Sequence, residues 1–333
     1  MFSPGDEDGI LWIAGPMVPV ISATTDQPPV YSLGNPLNDD AYDIDVDSQN
    51  RLVLSTRSKA IGERKDFDRY ITRLERDGAL DADFGTSGTV AINAPGDRSE
   101  NARRNDILPN DEIVSAGYQQ IDGKANMIIA RLDAQGHFVP GFAIGGLLVF
   151  NPFQTNDPST TGACEAYGAA RQSNGSFVTI GYGEHSDGDP ADSIFSLRIS
   201  GTGEPDSDWS NGQGYFQLDK LSNAENAATG AENGRNVIVL HDDRVVYVGQ
   251  GAVGVAADKK KSAVIGMLTK DGVADTTFNT VGHKAYDFNQ TNDNFLGLAE
   301  SADGKYVVAA GASAGSTAAN DNAALVIFSL QEQ

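Results

Sequence analysis

A twelve-residue phrase occurs four times in this chain. It limits the fold more than any other feature. The clearest copy is Leu74-Glu75-Arg76-Asp77-Gly78-Ala79-Leu80-Asp81-Ala82-Asp83-Phe84-Gly85, and later copies run Leu132 to Ala143, Ile199 to Ser210 and Leu268 to Asn279. Each begins on an aliphatic residue, has a glycine four positions on (Gly78, Gly136, Gly203, Gly272) and an aromatic six beyond that (Phe84, Phe142, Trp209, Phe278). The glycines are spaced by 58, 67 and 69 residues. A Gly-punctuated period of that length, set among β-type runs, points to an array of similar units in place of one conventional core. With 333 residues the chain exceeds the size at which a single core stops growing. Units that share local cores with their neighbours resolve that problem.

Each unit offers four strands. In the first, Tyr42 to Asp47 alternates Asp43, Asp45 and Asp47 with Tyr42, Ile44 and Val46, a period of two. Arg51–Arg57, Arg69–Leu74 and Thr89–Ala94 follow. Later first strands are expected at Arg103–Leu108, Tyr167–Gln172, Asn236–His241 and Leu296–Ser301. No segment shows a capped 3.6-residue apolar period, so almost no helix is expected. Four-stranded units at this spacing describe the blades of an all-β propeller. The units cover about 38–94, 103–151, 167–219, 236–288 and 295–330. The last lacks a fourth strand. Val30 to Leu33 is expected to supply it, with 30–35 completing the fifth blade of a single domain over 30–333 and zipping the ends of the chain together. Residues 1–29 form an extension in which Ile10–Ala14 is a spare strand candidate, and six blades are the alternative.

The phrase itself reads as mechanical. Asp77-Gly78 and Asp271-Gly272 are turn dipeptides in which glycine supplies a positive φ. The aromatic is a large apolar body on an otherwise polar loop. It is expected to wedge the loop against the blade edge, stabilising by ~2–3 kcal/mol when buried. The other reading is an aromatic platform for sugars.

The phrase Leu-x-x-Asp-Gly-x-x-Asp-x-x-Phe-Gly, with Ala302-Asp303-Gly304-Lys305-Tyr306-Val307-Val308-Ala309-Ala310-Gly311 downstream, resembles the delta-60 repeat family. The resemblance covers about residues 38–330. It is strong at Leu74–Gly85 and Leu268–Asn279, and weak at Leu132–Ala143, where Gln135, Val139 and Pro140 replace the usual residues. It implies a β-propeller-like fold in an exported bacterial protein. It brings no common catalytic motif.

Composition narrows the function. A net charge of −22 disfavours nucleic acid and anionic membranes and favours cations and basic partners. No apolar run reaches the ~18 residues of a membrane helix. The single cysteine, Cys164, excludes an intrachain disulfide and reads as a small buried hydrophobe. Met1 to Gly9 is polar and acidic, so it does not read as a signal peptide.

Chemistry is sought on the first strands, which line a propeller's axis. Aligned on their following turns, one row carries Ile44, Asn105, Ala169, Ile238 and Leu298. The facing row carries Asp45, Asp106, Ala170, Val239 and Ala299, and one step outward lie Asp43, Arg104, Gly168, Val237 and Gly297. Asp43, Asp45 and Asp106 form a candidate carboxylate cluster for Ca²⁺, which takes oxygen ligands. Otherwise Arg104 neutralises them in an ion-pair network. Asp45, Asp106 and Glu300 are candidates for the two carboxylates of a glycoside hydrolase. The four histidines lack metal-ligand spacing, although His241 ends a first strand. The preferred reading is a binding or scaffold module that takes a protein, glycan or cation at the channel mouth. The loops Ser58–Asp68, Gln119–Ala125, Glu184–Asp192, Ala252–Ser262 and Ser313–Ala323 are a second candidate surface. A purely structural surface protein is the remaining alternative.

Overall fold

A computed structural model describes residues 39–59, 66–94, 98–157, 160–184, 192–218, 221, 232–252, 261–288, 292–313 and 322–330. The expected closing strand Val30–Leu33 and the spare strand Ile10–Ala14 lie outside these residues, as do the tips of four of the five proposed binding loops.

Five antiparallel sheets follow one another along the chain. The first is a meander of β1 (Asp39–Val46), β2 (Leu52–Lys59), β3 (Phe67–Leu74) and β4 (Thr89–Ile92). The second repeats that order with β5 (Glu100–Ile107), β6 (Ile113–Ile121), β7 (Lys124–Leu132) and β8 (Leu147–Phe150). The third holds β9 (Cys164–Arg171), β10 (Phe177–Glu184) and β13 (Phe216–Leu218), with its third strand split at Leu197 into β11 (Asp192–Ser196) and β12 (Arg198–Ile199). The fourth holds β14 (Asn233–Val239), β15 (Val245–Ala252), β16 (Lys261–Leu268) and β17 (His283–Tyr286). The fifth has three described strands, β18 (Asp293–Glu300), β19 (Tyr306–Ser313) and β20 (Asn322–Ser329). Among the described residues the one helical stretch is a single turn at Trp209–Gly212, broken by left-handed Ser210 and Asn211. Among the described residues no helix is long and apolar enough to cross a membrane.

No central core exists among the described residues. Four apolar slabs sit between consecutive sheets instead, each built from both neighbours. Val53, Ile71 and Phe84 meet Ile113, Ile128 and Leu132 in the first slab. Corresponding slabs join sheets two to three, three to four and four to five. Cys164 is buried in the second of them.

The repeated phrase links the sheets. Its glycine closes a tight turn, with Gly78, Gly136, Gly203 and Gly272 each donating an N–H to the carbonyl three residues back at φ between 82° and 86°. All four aromatics are buried, Phe84, Phe142 and Trp209 completely. The residue after the aromatic then bonds to the next copy: Gly85 N–H to the Gln135 carbonyl (2.9 Å), Ala143 to Thr202 (2.7 Å) and Ser210 to Asp271 (2.9 Å). An arginine one position ahead of the phrase adds a second strut. Arg73 reaches the Ala134 carbonyl (2.5 Å), Arg131 that of Gly201 (2.8 Å) and Arg198 that of Lys270 (3.0 Å). Arg73 and Arg198 also stack on the Phe84 and Trp209 of their own copies. The wedge reading holds, and it extends from one sheet to the next.

Two expectations need correction. First strands begin three residues earlier than the alternation indicates, because every one carries a β-bulge. The register slips between Ala41 and Asp43, Ala102 and Asn105, Gly234 and Asn236, and Phe295 and Gly297, and β9 slips opposite Ile180–Gly181. A bulge places two residues opposite one and breaks the period-two pattern. The bulge residues Tyr42, Arg103, Tyr167 and Leu296 therefore looked like strand starts. In the fourth sheet the expected alignment is also off by one: Val237, not Ile238, shares the row of Ile44. Gln119–Ala125 is not a long loop. β6 and β7 pair up to Ile121 and Lys124, joined by Asp122 (φ 49°) and Gly123 (φ 82°), the two-residue hairpin that Asp-Gly favours.

The interlock is testable at glycine. A β-carbon on Gly272 would lie 2.3 Å from the Trp209 ring, whereas one on Gly123 meets nothing within 4 Å. Both have a left-handed φ. Gly123→Ala should cost about 1–2 kcal/mol for backbone strain alone, and Gly272→Ala about 3 kcal/mol or more once overpacking is added. Equal losses of stability in urea unfolding would show that the ring contact contributes nothing.

Candidate functional site

The bulges aim the first strands at a single side chain. Arg104 donates from Nη1 to Asp43 Oδ1 (3.0 Å) on β1, from Nε to the Arg235 carbonyl (3.2 Å) on β14 and from Nη2 to the Leu296 carbonyl (2.6 Å) on β18. A β-carbon built on Gly168 of β9 would come within 3.9 Å of its Cδ. One guanidinium from β5 thus touches or adjoins all four other first strands.

At the turn end of these strands lies a recess of about 350 Å³. Asp106 and Pro109 of the second sheet, Arg171 of the third, Val237 and Val239 of the fourth and Glu300 of the fifth line it. A second recess of about 330 Å³ adjoins it across Glu300 and is lined by His241, Arg244 and Asp303. The structure therefore brings two of the predicted carboxylates, Asp106 and Glu300, to one cavity. Glu300 Oε1 is held 3.0 Å from His241 Nδ1. His241 lies in the turn after β14 and does not end a strand.

The third carboxylate, Asp45, stands beside the recess and lines neither cavity. Burial first, then the neighbouring Asp43 and Asp106 charges, push its acid up to about 7. Asp106 is raised to about 6, again mainly by burial, with Arg171 opposing. Asp43 is committed elsewhere: Oδ1 takes Arg104 and Oδ2 accepts the Asn105 N–H at 2.9 Å. Among the described residues no three such groups gather closely enough to hold a metal ion. Arg104 pairs with Asp43, which is the ion-pair alternative to the Ca²⁺ set of Asp43, Asp45 and Asp106.

Sequence reasoning missed the opposite, bulge end. Arg103 sits 5.4 Å from the Tyr42 ring and 4.4 Å from Tyr167, and Arg235 lies 4.4 Å from Tyr167 on its own side. Glu165, 2% exposed, accepts from Arg103, and burial holds its acid up at about 7. The alternation Tyr42, Arg103, Tyr167, Arg235 at equivalent positions was a usable signal, but only once the bulge fixes the alignment. Arg69 was also missed. It is fully buried between sheets one and two, with Nη2 on Ser115 Oγ (2.5 Å), and Gly117 leaves it room.

No family model matches the chain, and no curated protein does. Among solved structures it is similar to a puromycin-hydrolysing peptidase of Mycobacterium tuberculosis at 12% identity and a TM-score of 0.44 over 89% of this chain and 37% of that one. It is also similar to a Bombyx mori GH32 β-fructofuranosidase solved with sucrose, at 11% identity and a TM-score of 0.36 over 81% and 55%. The chain spans under two thirds of either protein, and likeness at this level carries no argument about its activity.

The raised acids give a stability signature. A carboxyl whose folded value lies near 7 holds its proton where the unfolded chain, near 3.8, has released it. Stability then falls as pH rises from about 4 to about 7. Asp45→Asn removes that penalty. It should be about 1–2 kcal/mol more stable than wild type at pH 8, with the gain gone at pH 4, allowing for solvent screening. Thermal melts at both pH values check this, and a pH-independent difference would contradict it.

Proposed function

We propose that the chain is a binding module of an exported bacterial protein, of the delta-60 repeat type, and that it receives a positively charged side chain of a protein partner at the turn-end recess. The observation that carries this is the convergence of Asp106 and Glu300 on one cavity with apolar walls, beside the raised acid of Asp45. The overall charge of −22 steers a basic partner toward it. Apolar Val237, Val239 and Pro109 suit the methylene stem of a lysine while the carboxylates take its head. Export and repeat type rest on the sequence resemblance.

A cation favours the ionised carboxylates, so binding releases protons and tightens as pH rises through about 6 to 7. Calorimetry with a lysine-rich peptide should show affinity about tenfold higher at pH 8 than at pH 5, and about tenfold lost in Asp106→Asn or Glu300→Gln. Affinity indifferent to pH and to both substitutions would sink the reading. A second reading, glycoside hydrolysis, is favoured by one specific feature: two carboxyl groups share a recess and one is raised to about 6, as a general acid needs. Sugar hydrolysis by the wild type that is lost in a cooperatively melting Asp106→Asn would establish it and displace the binding module.

The fold reading extends in the same way. We propose five blades closed into a ring, with Val30 to Leu33 added to the free edge of β20. The fifth sheet has three described strands where each of the other four has a fourth-strand partner. Ile44 and Val46 on β1, and Leu325 and Ile327 on β20, stay exposed at the two ends of the series. A chain of residues 30–333 should melt within about 2 °C of the full protein, and one of residues 39–333 at least about 5 °C lower. Equal melting of the two truncated chains would refute closure by this strand.

A further inference from the structure

The turns that follow the first strands are clasped to one another by serine and aspartate. Ser48 donates its N–H and its hydroxyl to the Asp111 carboxylate (2.9 and 2.6 Å), which joins the first two sheets. Ser173 makes the same pair of bonds to Asp243 and joins the third and fourth. Sheets two and three lack the clasp but keep the Arg131 strut. Between sheets four and five, His241 takes the serine's place and Gly304 the aspartate's, at a φ of 68° against 61° for Asp111 and 65° for Asp243. The strut is missing there too, since Met267 stands where Arg73, Arg131 and Arg198 do. At this joint, which lacks both ties, the recess of about 330 Å³ opens.

What the recess displays is an oriented imidazole. His241 Nδ1 lies 3.0 Å from Glu300 Oε1. A carboxylate only accepts, so Nδ1 carries the hydrogen and Nε2 keeps its lone pair. The Glu300 side chain is 17% exposed and that of His241 77%, so the anchor is held and the ring is reachable. Gly304 borders the pair, and a β-carbon there would stand 3.5 Å from Nδ1 and 3.6 Å from Oε1. Arg244 lines the same recess. Its Nε is taken by Asp242 (2.8 Å) and its Nη1 by Met267 Sδ (3.2 Å), and among the described residues its Nη2 has no hydrogen-bond partner. A base aimed by a carboxylate, with a guanidinium edge on the same cavity, suits the addition of water to a carbonyl. Asp242, Glu300 and Asp303 outnumber Arg244 in the lining and disfavour a phosphate ester. A neutral carboxylic ester meets no such repulsion.

We propose that this recess hydrolyses neutral carboxylic esters, with His241 as general base and Glu300 as its positioning residue. Water oxygen adds to the ester carbonyl carbon while its proton passes to His241 Nε2. The negative charge that develops on the carbonyl oxygen meets Arg244 Nη2. The tetrahedral adduct then collapses, the bond from carbon to the alcohol oxygen breaks, and that oxygen takes the proton back from Nε2. Acid and alcohol leave, and His241 is neutral again. This activity stands beside the binding reading and is measured with no peptide present, so either can fail without the other.

The test follows p-nitrophenolate release from p-nitrophenyl acetate by the full chain at pH 8. Its kcat/KM should exceed the second-order rate of free imidazole at least about a hundredfold, and His241→Gln should lose about as much. Glu300→Gln should lower kcat at least about tenfold and leave KM unchanged, as expected of a group that orients the base without touching substrate. His137 supplies the control. It is 72% exposed, its Nδ1 lies 3.2 Å from Asp133 Oδ2, and it lines neither recess. His137→Gln should therefore keep the wild-type rate. Wild-type chain no faster than free imidazole overturns the proposal, and so does a loss in His137→Gln equal to that in His241→Gln. Should His241→Gln fail to melt cooperatively, Glu300→Gln decides, and a wild-type kcat in that variant overturns it.

Discussion

The structure depends on a hand-over from each repeat to the next. An N–H just past the buried aromatic of one copy reaches the carbonyl just ahead of the turn glycine of the following copy, and an arginine from the third strand reaches a neighbouring carbonyl. Four apolar slabs between flat sheets would resist sliding only weakly, since hydrophobic contact is non-directional. The hand-over fixes the register between neighbours. It explains why the glycine recurs. Its positive φ closes the turn, and its missing side chain admits the previous copy's aromatic at Gly136 and Gly272. In the third copy one extra residue separates Trp209 from Gly214, and the link from Ser210 to Asp271 survives.

Fixing the sheets fixes what converges on their first strands. The bulge in each of these strands turns residues such as Tyr42 and Arg103 out of the simple alternation. Arg104 takes the middle, bonded to three strands and close to a fourth. It divides two environments of opposite character. At the turn end, carboxylates crowd until burial raises Asp45 and Asp106. At the bulge end, arginines stacked on tyrosines are paired with acids, Arg103 with buried Glu165 and Arg57 with Asp40. Buried like charges at either end would be costly if they were merely decorative. That cost is why the turn end, where Asp45 and Asp106 crowd, is read as a site.

Much of this was legible along the chain and some was not. The wedge role of Phe84, Phe142, Trp209 and Phe278 followed from their size and spacing. Asp106 and Glu300 were legible as residues near strand ends, and they do meet. The pairing of Asp43 with Arg104 was one of two readings left open along the chain, and the geometry that makes the pair is not encoded in one-dimensional spacing. The tyrosine and arginine ladder was invisible for a different reason. Its members lie on the bulges, and alternation alone places a bulge residue at the start of a strand. The fourth sheet's one-residue misalignment has the same origin.

The sequence by itself determined the repeating unit, its four strands, its turn glycine and its aromatic wedge, because each is a short-range pattern set by backbone sterics and by the two-residue period of a strand. It also determined the acidic surface, which is a simple sum over side chains. Only the tertiary structure decided which first-strand residues face one another, that Arg104 occupies the shared centre, and that Asp106 and Glu300 line one recess while Asp45 stands outside it. Those outcomes depend on where a one-residue bulge falls and on how five separate sheets are set against each other. Neither quantity is local, so no window of sequence contains it.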